Sequence, residues 1–520
     1  MPDADLPLRK KLLYEGSEWT FETMARTYEA IERIALEDLR LDVYPNQIEV
    51  ISSEQMLDAY SSIGMPLMYK HWSFGKHFVR DEQFYRKGYV GLAYEIVINS
   101  NPCISYNMEE NTMPMQTLVM AHAAFGHNHF FKNNYLFRQW TDAEGILDYL
   151  EFARDYIAWC EERHGVAAVE KTLDAAHALM DQGVFRYRRP PKLNEEKLRR
   201  KQREREDYEE RTFSDLWRTL PKRADGTAPE TDREEELKRK RKLKLPQENL
   251  LYFLEKHSPT LETWQREVLR IVRNVAQYFL PQKQTKVMNE GCATFVHYYI
   301  TNKLFDEGLI GEGAMLEILS SHANVIAQPA FDDKRYHGIS PYALGFAMMQ
   351  DIRRICEAPT KEDMEWFPDI AGSDDWRAVL RDAWANYRDE SFIQQYLSPR
   401  LMREFRLFAL ADDEEDAYYT VTGIHDERGY RRVRQQLAQN YDIGLNEPDI
   451  EVIDVDLRGN RHLRLRHNTR NGVPLDPKLR DKVLTHVREL WGYDVSIAAM
   501  ERNADQPSSF TSTSDDEADF

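Results

Sequence analysis

Three histidines fall within eight residues of an apolar, helix-patterned run: His122, His127 and His129 in AHAAFGHNHFF, residues 121–131. An apolar helix buries its surface, and buried polar groups are costly unless they find partners. Whatever this run packs against must therefore bring groups that match it. A second apolar run offers them, because NEGCATFVH at residues 289–297 carries Glu290 and His297. At about 3.6 residues per turn, positions seven apart share a face. That pairs His122 with His129, and Glu290 with His297. In a regular helix His127 lies well round the cylinder from His122, and Gly126 is the residue able to alter the turn. Imidazole and carboxylate are ligands for zinc, iron and manganese. An unpaired buried ion costs several kcal/mol, so a divalent metal is one way to satisfy these groups together. The expected ligands are His122, Glu290 and either His127 or His129, with zinc as the first choice of ion. Any one of these histidines alone would read as a hydrogen-bonded core residue.

A metal held in this way acidifies a bound water and polarises a carbonyl, so the expected chemistry is hydrolysis of an amide or peptide bond. No glutamate follows His122 on its helix, which leaves the general base to be found elsewhere. Glu109 and Glu110, in the loop entering that helix, are the substitutes by position, although each is also a residue that the helix dipole favours in a first turn. His297 reads as a fourth ligand or as a group stabilising an oxyanion. The segment at 289–293 resembles the helix that supplies the glutamate ligand in gluzincin-type metallopeptidases. There an edge strand precedes the first metal helix, and residues 94–108 stand in that order here. A carboxylate-bridged di-iron site is disfavoured because the Glu-x-x-His pairs it uses are absent. Gly75 and Lys76 follow no glycine-rich run, so they form no phosphate loop, and no Gly-x-Ser-x-Gly elbow is present. His71 and His77 read equally as a loop over the site or an aromatic clamp. His322, Asn324 and Gln328 read as capping and packing groups.

The remainder of the chain sets these helices in an α+β protein. Helical periodicity dominates residues 1–190 and 246–400, interrupted by a small strand element at 94–108 that fits a zincin-like arrangement. Residues 191–245 are rich in Lys, Arg and Glu with little apolar periodicity, and read as a solvated insertion. From 415 to 500 the pattern shifts to strand, helix, two strands with a turn at 458–460, helix and strand. That is the β-α-β-β-α-β order of a ferredoxin-like sandwich. Residues 503–520 form an acidic, serine-rich tail expected to be disordered. The 69 Lys and Arg against 88 Asp and Glu give a net charge of −19, which disfavours non-specific binding to nucleic acid or an anionic membrane. No apolar run reaches the ~18 residues of a bilayer span, and residues 1–15 carry no apolar core of a secretory signal. The four cysteines are scattered without a CxxC pair, which fits reduced, buried thiols in the cytoplasm.

Several segments together carry a family resemblance: KHWSFGK at 70–76, NSNP at 99–102, MEEN at 108–111, residues 121–134, and MNEGCATFVH at 288–297. On these the chain resembles the stage V sporulation protein R (SpoVR) family over most of residues 10–500. The resemblance implies a bacterial cytoplasmic protein, linked in spore-formers to assembly of the peptidoglycan cortex. Outside spore-formers the family travels with an AAA-type serine protein kinase and a von Willebrand-type domain protein, which implies a stress pathway. It implies no particular reaction. The alternative to a hydrolase is thus a non-catalytic regulatory protein of that kinase pathway, with the C-terminal domain and charged insertion as docking surfaces.

Overall fold

The structure is a computed structural model that describes residues 12–61, 68–71, 95–186, 243, 245–330, 333–336, 338–408, 410–411, 420–421, 426–456, 459–469 and 473–501. Most of the charged insertion, the acidic tail and His77 lie outside the described residues. The chain divides into two compact units, one of Met1–His177 with Thr263–Glu447, the other of Ala178–Glu262 with Pro448–Phe520.

The first unit is mainly helical. Its opening helix, α1 (Phe21–Arg33), starts at a capping box in which Thr20 accepts from the Thr23 N–H, and it buries Met24, Thr27 and Ile31. A three-stranded sheet follows: β1 (Asn46–Ile51), β2 (Glu95–Ile98) and β3 (Cys103–Met108). β3 is central, parallel to β1 and antiparallel to β2, with Glu95 paired to Asn107. Thr112 caps α2 (Met113–Val119), and Pro114 stands in its first turn, where a missing N–H costs nothing. The helix continues without a break into a π-wound segment, Met120–His127, and then α3 (Asn128–Asn133). Further on come α4 (Val166–Ala178), α5 (Lys286–Asp306), α6 (Glu312–Val325) and α7 (Pro341–Glu357).

α5 is the centre of this unit. The buried Asp389 carboxylate accepts from its first-turn N–H groups, Val287 at 2.8 Å and Met288 at 2.9 Å. Its flanks are stripped of side chains where neighbours approach. A Cβ on Gly126 would stand 2.5 Å from the Ala293 Cα, and one on Gly291 would stand 2.6 Å from the Gly345 backbone. Glycine lets the π segment and α7 meet α5 backbone to backbone. Around that contact lie the fully buried Phe125, Phe130, Phe295, Met288, Cys292, Leu344 and Met348.

The second unit holds a sheet in the order β4 (Asp449–Val455), β5 (Leu463–Thr469), β6 (Val495–Glu501), with α8 (Pro477–Trp491) as the crossover between the last two. β4 and β5 are antiparallel, joined by a turn in which Asp456 accepts from the Gly459 N–H at 2.8 Å; β5 and β6 are parallel. α8 ends at Gly492, with φ of +84°, the left-handed cap that glycine adopts most cheaply. From earlier in the chain, Gln247 bridges to Val452, and the Ser258 hydroxyl donates to the Leu490 carbonyl at 2.7 Å.

This differs from a ferredoxin-like sandwich beginning near 415. Among the described residues, Thr420–Val421 pairs only with Leu410–Ala411. The helix Glu427–Asn440 belongs to the first unit. Tyr430, Val433 and Leu437 recur at helical spacing and pack on that unit's core. The second unit is left with three strands among the described residues. All four cysteines are free and buried. No helix among the described residues is long and apolar enough to cross a membrane.

Candidate metal centre

The π segment decides which histidines meet. With i→i+5 hydrogen bonding, residues five apart come into register along the helix, and the His122 and His127 rings stand 4.7 Å apart. The same rewinding carries His129 off that face. Its Nδ1 accepts from the Asp42 N–H at 3.0 Å, and its ring meets Trp384 edge-on. Burial pushes His129 down to about 4. The seven-residue pairing of His122 with His129, valid for a regular helix, therefore gives way to a five-residue pairing with His127.

The carboxylate that joins them was not among the expected ligands. Glu95, first residue of β2, places Oε1 3.6 Å from His122 Nε2. One ligand atom each from Glu95, His122 and His127 lies within 4.8 Å of the others. From α5, Glu290 Oε2 stands 3.6 Å from His127 Nε2 and is buried without a hydrogen-bond partner. Metal–ligand bonds of about 2.0–2.2 Å in a tetrahedral set put neighbouring ligand atoms about 3.3–3.6 Å apart, so the Glu95–His122 separation matches a shared ion, while Glu290 stands beside the set of three. The donor set and the orphaned carboxylate oxygen fit a divalent cation.

Outer groups orient the two imidazoles. His127 Nδ1 donates to Asn289 Oδ1 at 2.9 Å, which leaves the Nε2 lone pair facing the cluster. His122 Nδ1 meets His297 Nδ1 at 2.9 Å, and His297 Nε2 meets His322 Nδ1 at 2.9 Å. One direction of donation, His122 to His297 to His322, leaves the His122 Nε2 lone pair toward Glu95. Burial, then the charge of neighbouring imidazoles, holds His122 and His297 well below the usual histidine range. Burial alone brings His322 down to about 4. Burial, reinforced by the charge of Glu290, pushes Glu95 up to about 8.

Other expected site residues lie elsewhere. Glu109 and Glu110 are exposed. The Glu109 carbonyl accepts from Trp19 Nε1, and the Glu110 carboxylate accepts from the Ser53 N–H. Neither belongs to the cluster, because the end of β3 carries them to the surface. His297 takes part through His122, and His322, read as a packing group, is its hydrogen-bond partner. His71 belongs to a different group, 3.1 Å from Asp174 on α4 and with its ring 4.5 Å from His177. The signal that would have found Glu95 was available: it is the lone charge opening an otherwise apolar EIVI strand.

Comparison with known proteins agrees with the later boundary of the two units, although the longer match runs through Ala178–Glu262 as well. A family model described as SpoVR like protein matches residues 18–446, and one described as SpoVR-like C-terminal domain matches residues 448–502. Their junction falls at the structural boundary between Glu447 and Pro448. The Uncharacterized protein YcgB of Escherichia coli (strain K12) is 56% identical over 485 residues, 93% of this chain and 93% of its own. No solved structure matches. With a family model over more than half of the chain and a relative this similar along nearly its whole length, the chain belongs to the SpoVR family.

Proposed function

We propose that the cluster binds one divalent cation, zinc in the first place, and that the protein is a metal-dependent hydrolase of amide or peptide bonds. The observation that carries this reading is the convergence of Glu95, His122 and His127, three buried or half-buried ligand groups from two elements, beside the partnerless Glu290 oxygen. A cation there would supply Lewis acidity and an acidified water. His122 and His127 would hold it through Nε2, with Glu95 as the third ligand. Glu290 is placed to take a proton from a water at the site and pass it to a leaving amine. Asn289 and the His297–His322 pair keep the two ligating imidazoles in the tautomer that ligation needs. The likeness of residues 289–293 to the gluzincin glutamate helix supports an amide substrate, and the family's link to the spore cortex points to amides of the cell wall.

The test is turnover of peptides, N-acyl amino sugars and muropeptides by protein loaded with zinc, manganese or iron(II). The expected result is amine release by one loaded form. Glu290→Gln should retain the metal and lose ~10²–10⁴-fold in rate. A loaded protein that turns over none of these contradicts the hydrolase reading. It would favour a regulatory protein working with the AAA-type kinase and the von Willebrand-type partner. For that second reading the supporting observation is the C-terminal unit itself, which exposes Leu479, Tyr493 and Met500.

A further inference from the structure

Apart from the cluster, the first unit bears a half-open pocket of about 940 Å³ between α7, residues 326–330, 336 and 339, and the chain from 400 to 408. That size suits a small molecule. Phe346, Leu401 and Phe408 give it apolar walls, with Tyr336 at one side. Its charged groups divide into committed and available ones. Arg354 is committed, with Nε on Asp351 at 2.7 Å and its two terminal nitrogens on Asp363 at 2.7 and 2.8 Å. Asp351 also accepts from the Ser398 hydroxyl.

Arg400 and Arg406 are available. Arg400 comes no nearer than 3.7 Å to Asp351, beyond hydrogen-bond range. Arg406 has no ion pair among the described residues. It follows the helix Pro399–Glu404 with φ of +52°, a left-handed position where helix ends favour glycine. A side chain kept at such a position bears a conformational cost, and here it sets a guanidinium on the cavity wall. Half-buried Gln350 lines the same space with no hydrogen-bond partner among the described residues. Glu404 is the opposing carboxylate. Asp351 and Asp363 together balance Arg354 and offset part of the Arg400 charge, so the groups still open to a ligand are the Arg400 and Arg406 guanidiniums, with the Glu404 carboxylate opposite.

We propose that this cavity binds an organic anion, with a carboxylate, phosphate or sulfonate head held by Arg400, Arg406 and Gln350 and an apolar body against Phe346, Leu401 and Phe408. Guanidinium groups recognise such heads through paired, charge-assisted hydrogen bonds. The proposal does not depend on the metal reading. Phe346 nevertheless joins the two regions, since its ring lies 4.8 Å from that of His322.

The test uses the full chain and two fluorescent probes of the same body, 8-anilinonaphthalene-1-sulfonate and the uncharged N-phenyl-1-naphthylamine. Expected is saturable binding of the sulfonate, about tenfold or more tighter than of the uncharged probe. Arg400→Gln and Arg406→Gln should each weaken the sulfonate about tenfold and leave the uncharged probe unchanged. Glu404→Gln should tighten the sulfonate, and this change at an exposed carboxylate keeps the test open if an arginine variant fails to fold. Equal affinity for both probes, sulfonate binding indifferent to all three substitutions, or no saturable binding overturns the proposal.

Discussion

Glu95 is the residue on which the site's electrostatics turn. Its carboxyl is raised from the ordinary 4.5 to about 8 by burial and by Glu290. In the metal-free protein the folded state therefore keeps a proton that the unfolded chain releases. The Glu95 contribution to stability is fully present below about pH 4.5 and is lost as pH rises toward 8, because ∂ΔG/∂pH follows the difference in bound protons. The contributions of Asp389 and Glu248, raised to about 7 by burial, decline in the same way, and the lowered histidines oppose them. The Glu95 part is therefore read from the difference between urea melts of metal-free wild type and Glu95→Gln, which should grow in the variant's favour from pH 5 to pH 8, to ~2–4 kcal/mol. A difference that does not change with pH would contradict the assignment. Metal must displace the same proton, so affinity should rise with pH up to about 8, about tenfold per unit if one proton is released. The groups of the cluster were largely legible in the sequence one by one. His122, His127 and Glu290 announce themselves as polar groups on apolar runs. Glu95 shows only as the lone charge at the start of a four-residue apolar strand, a weaker mark than a polar group inside an apolar helix.

At the scale of elements, the informative departure is the winding of residues 120–127. Apolar pattern alone identifies a helix there but cannot say how many residues make each turn, and that number exchanges His127 for His129. Gly126 fits both its sequence and its neighbours, since a side chain there would meet the α5 backbone. Alanine ordinarily stabilises a helix by up to about 1 kcal/mol over glycine. Here Gly126→Ala should instead destabilise by ~1–3 kcal/mol through overpacking and weaken metal binding by shifting the π segment away from α5. Thermal melts and metal titration of this variant check both effects. An alanine variant as stable as wild type would mean the close approach of these helices is not required. Three-strand pairing in the C-terminal unit was legible from alternating apolar residues. The helix Glu427–Asn440 was placed in the wrong unit because amphipathic periodicity gives a buried face without naming the core that buries it.

For the whole molecule, the division at Glu447 and Pro448 sets what truncation should do. The second unit is discontinuous, built from Ala178–Glu262 and the C-terminal sheet. A chain ending at Glu447 should keep its metal, because Glu95, His122, His127 and Glu290 all lie in the first unit. It should expose the Leu250–His257 helix region to limited proteolysis, since Val452 and Leu490 no longer bond to Gln247 and Ser258. A chain ending at residue 414 loses the helix Glu427–Asn440 as well, and with it the packing of Tyr430, Val433 and Leu437 on the core. That longer deletion should lower the melting temperature of the first unit, whereas the shorter should not. Equal melting of the two truncated chains would contradict the boundary. The change from helical to alternating periodicity near 415 foretold a separate C-terminal part, but not that this part is assembled from two separated stretches.

The central claim is tested most directly by metal analysis of protein purified without a histidine tag or chelator, in wild-type form and with His127→Ala or His129→Gln. A regular helix would favour His129, and the π-wound segment favours His127. The account predicts about one bound divalent ion per chain in wild type, retained in His129→Gln and lost in His127→Ala, with both variants folded. A wild type that binds no ion after reconstitution, or an ion lost with His129 and kept without His127, would contradict it.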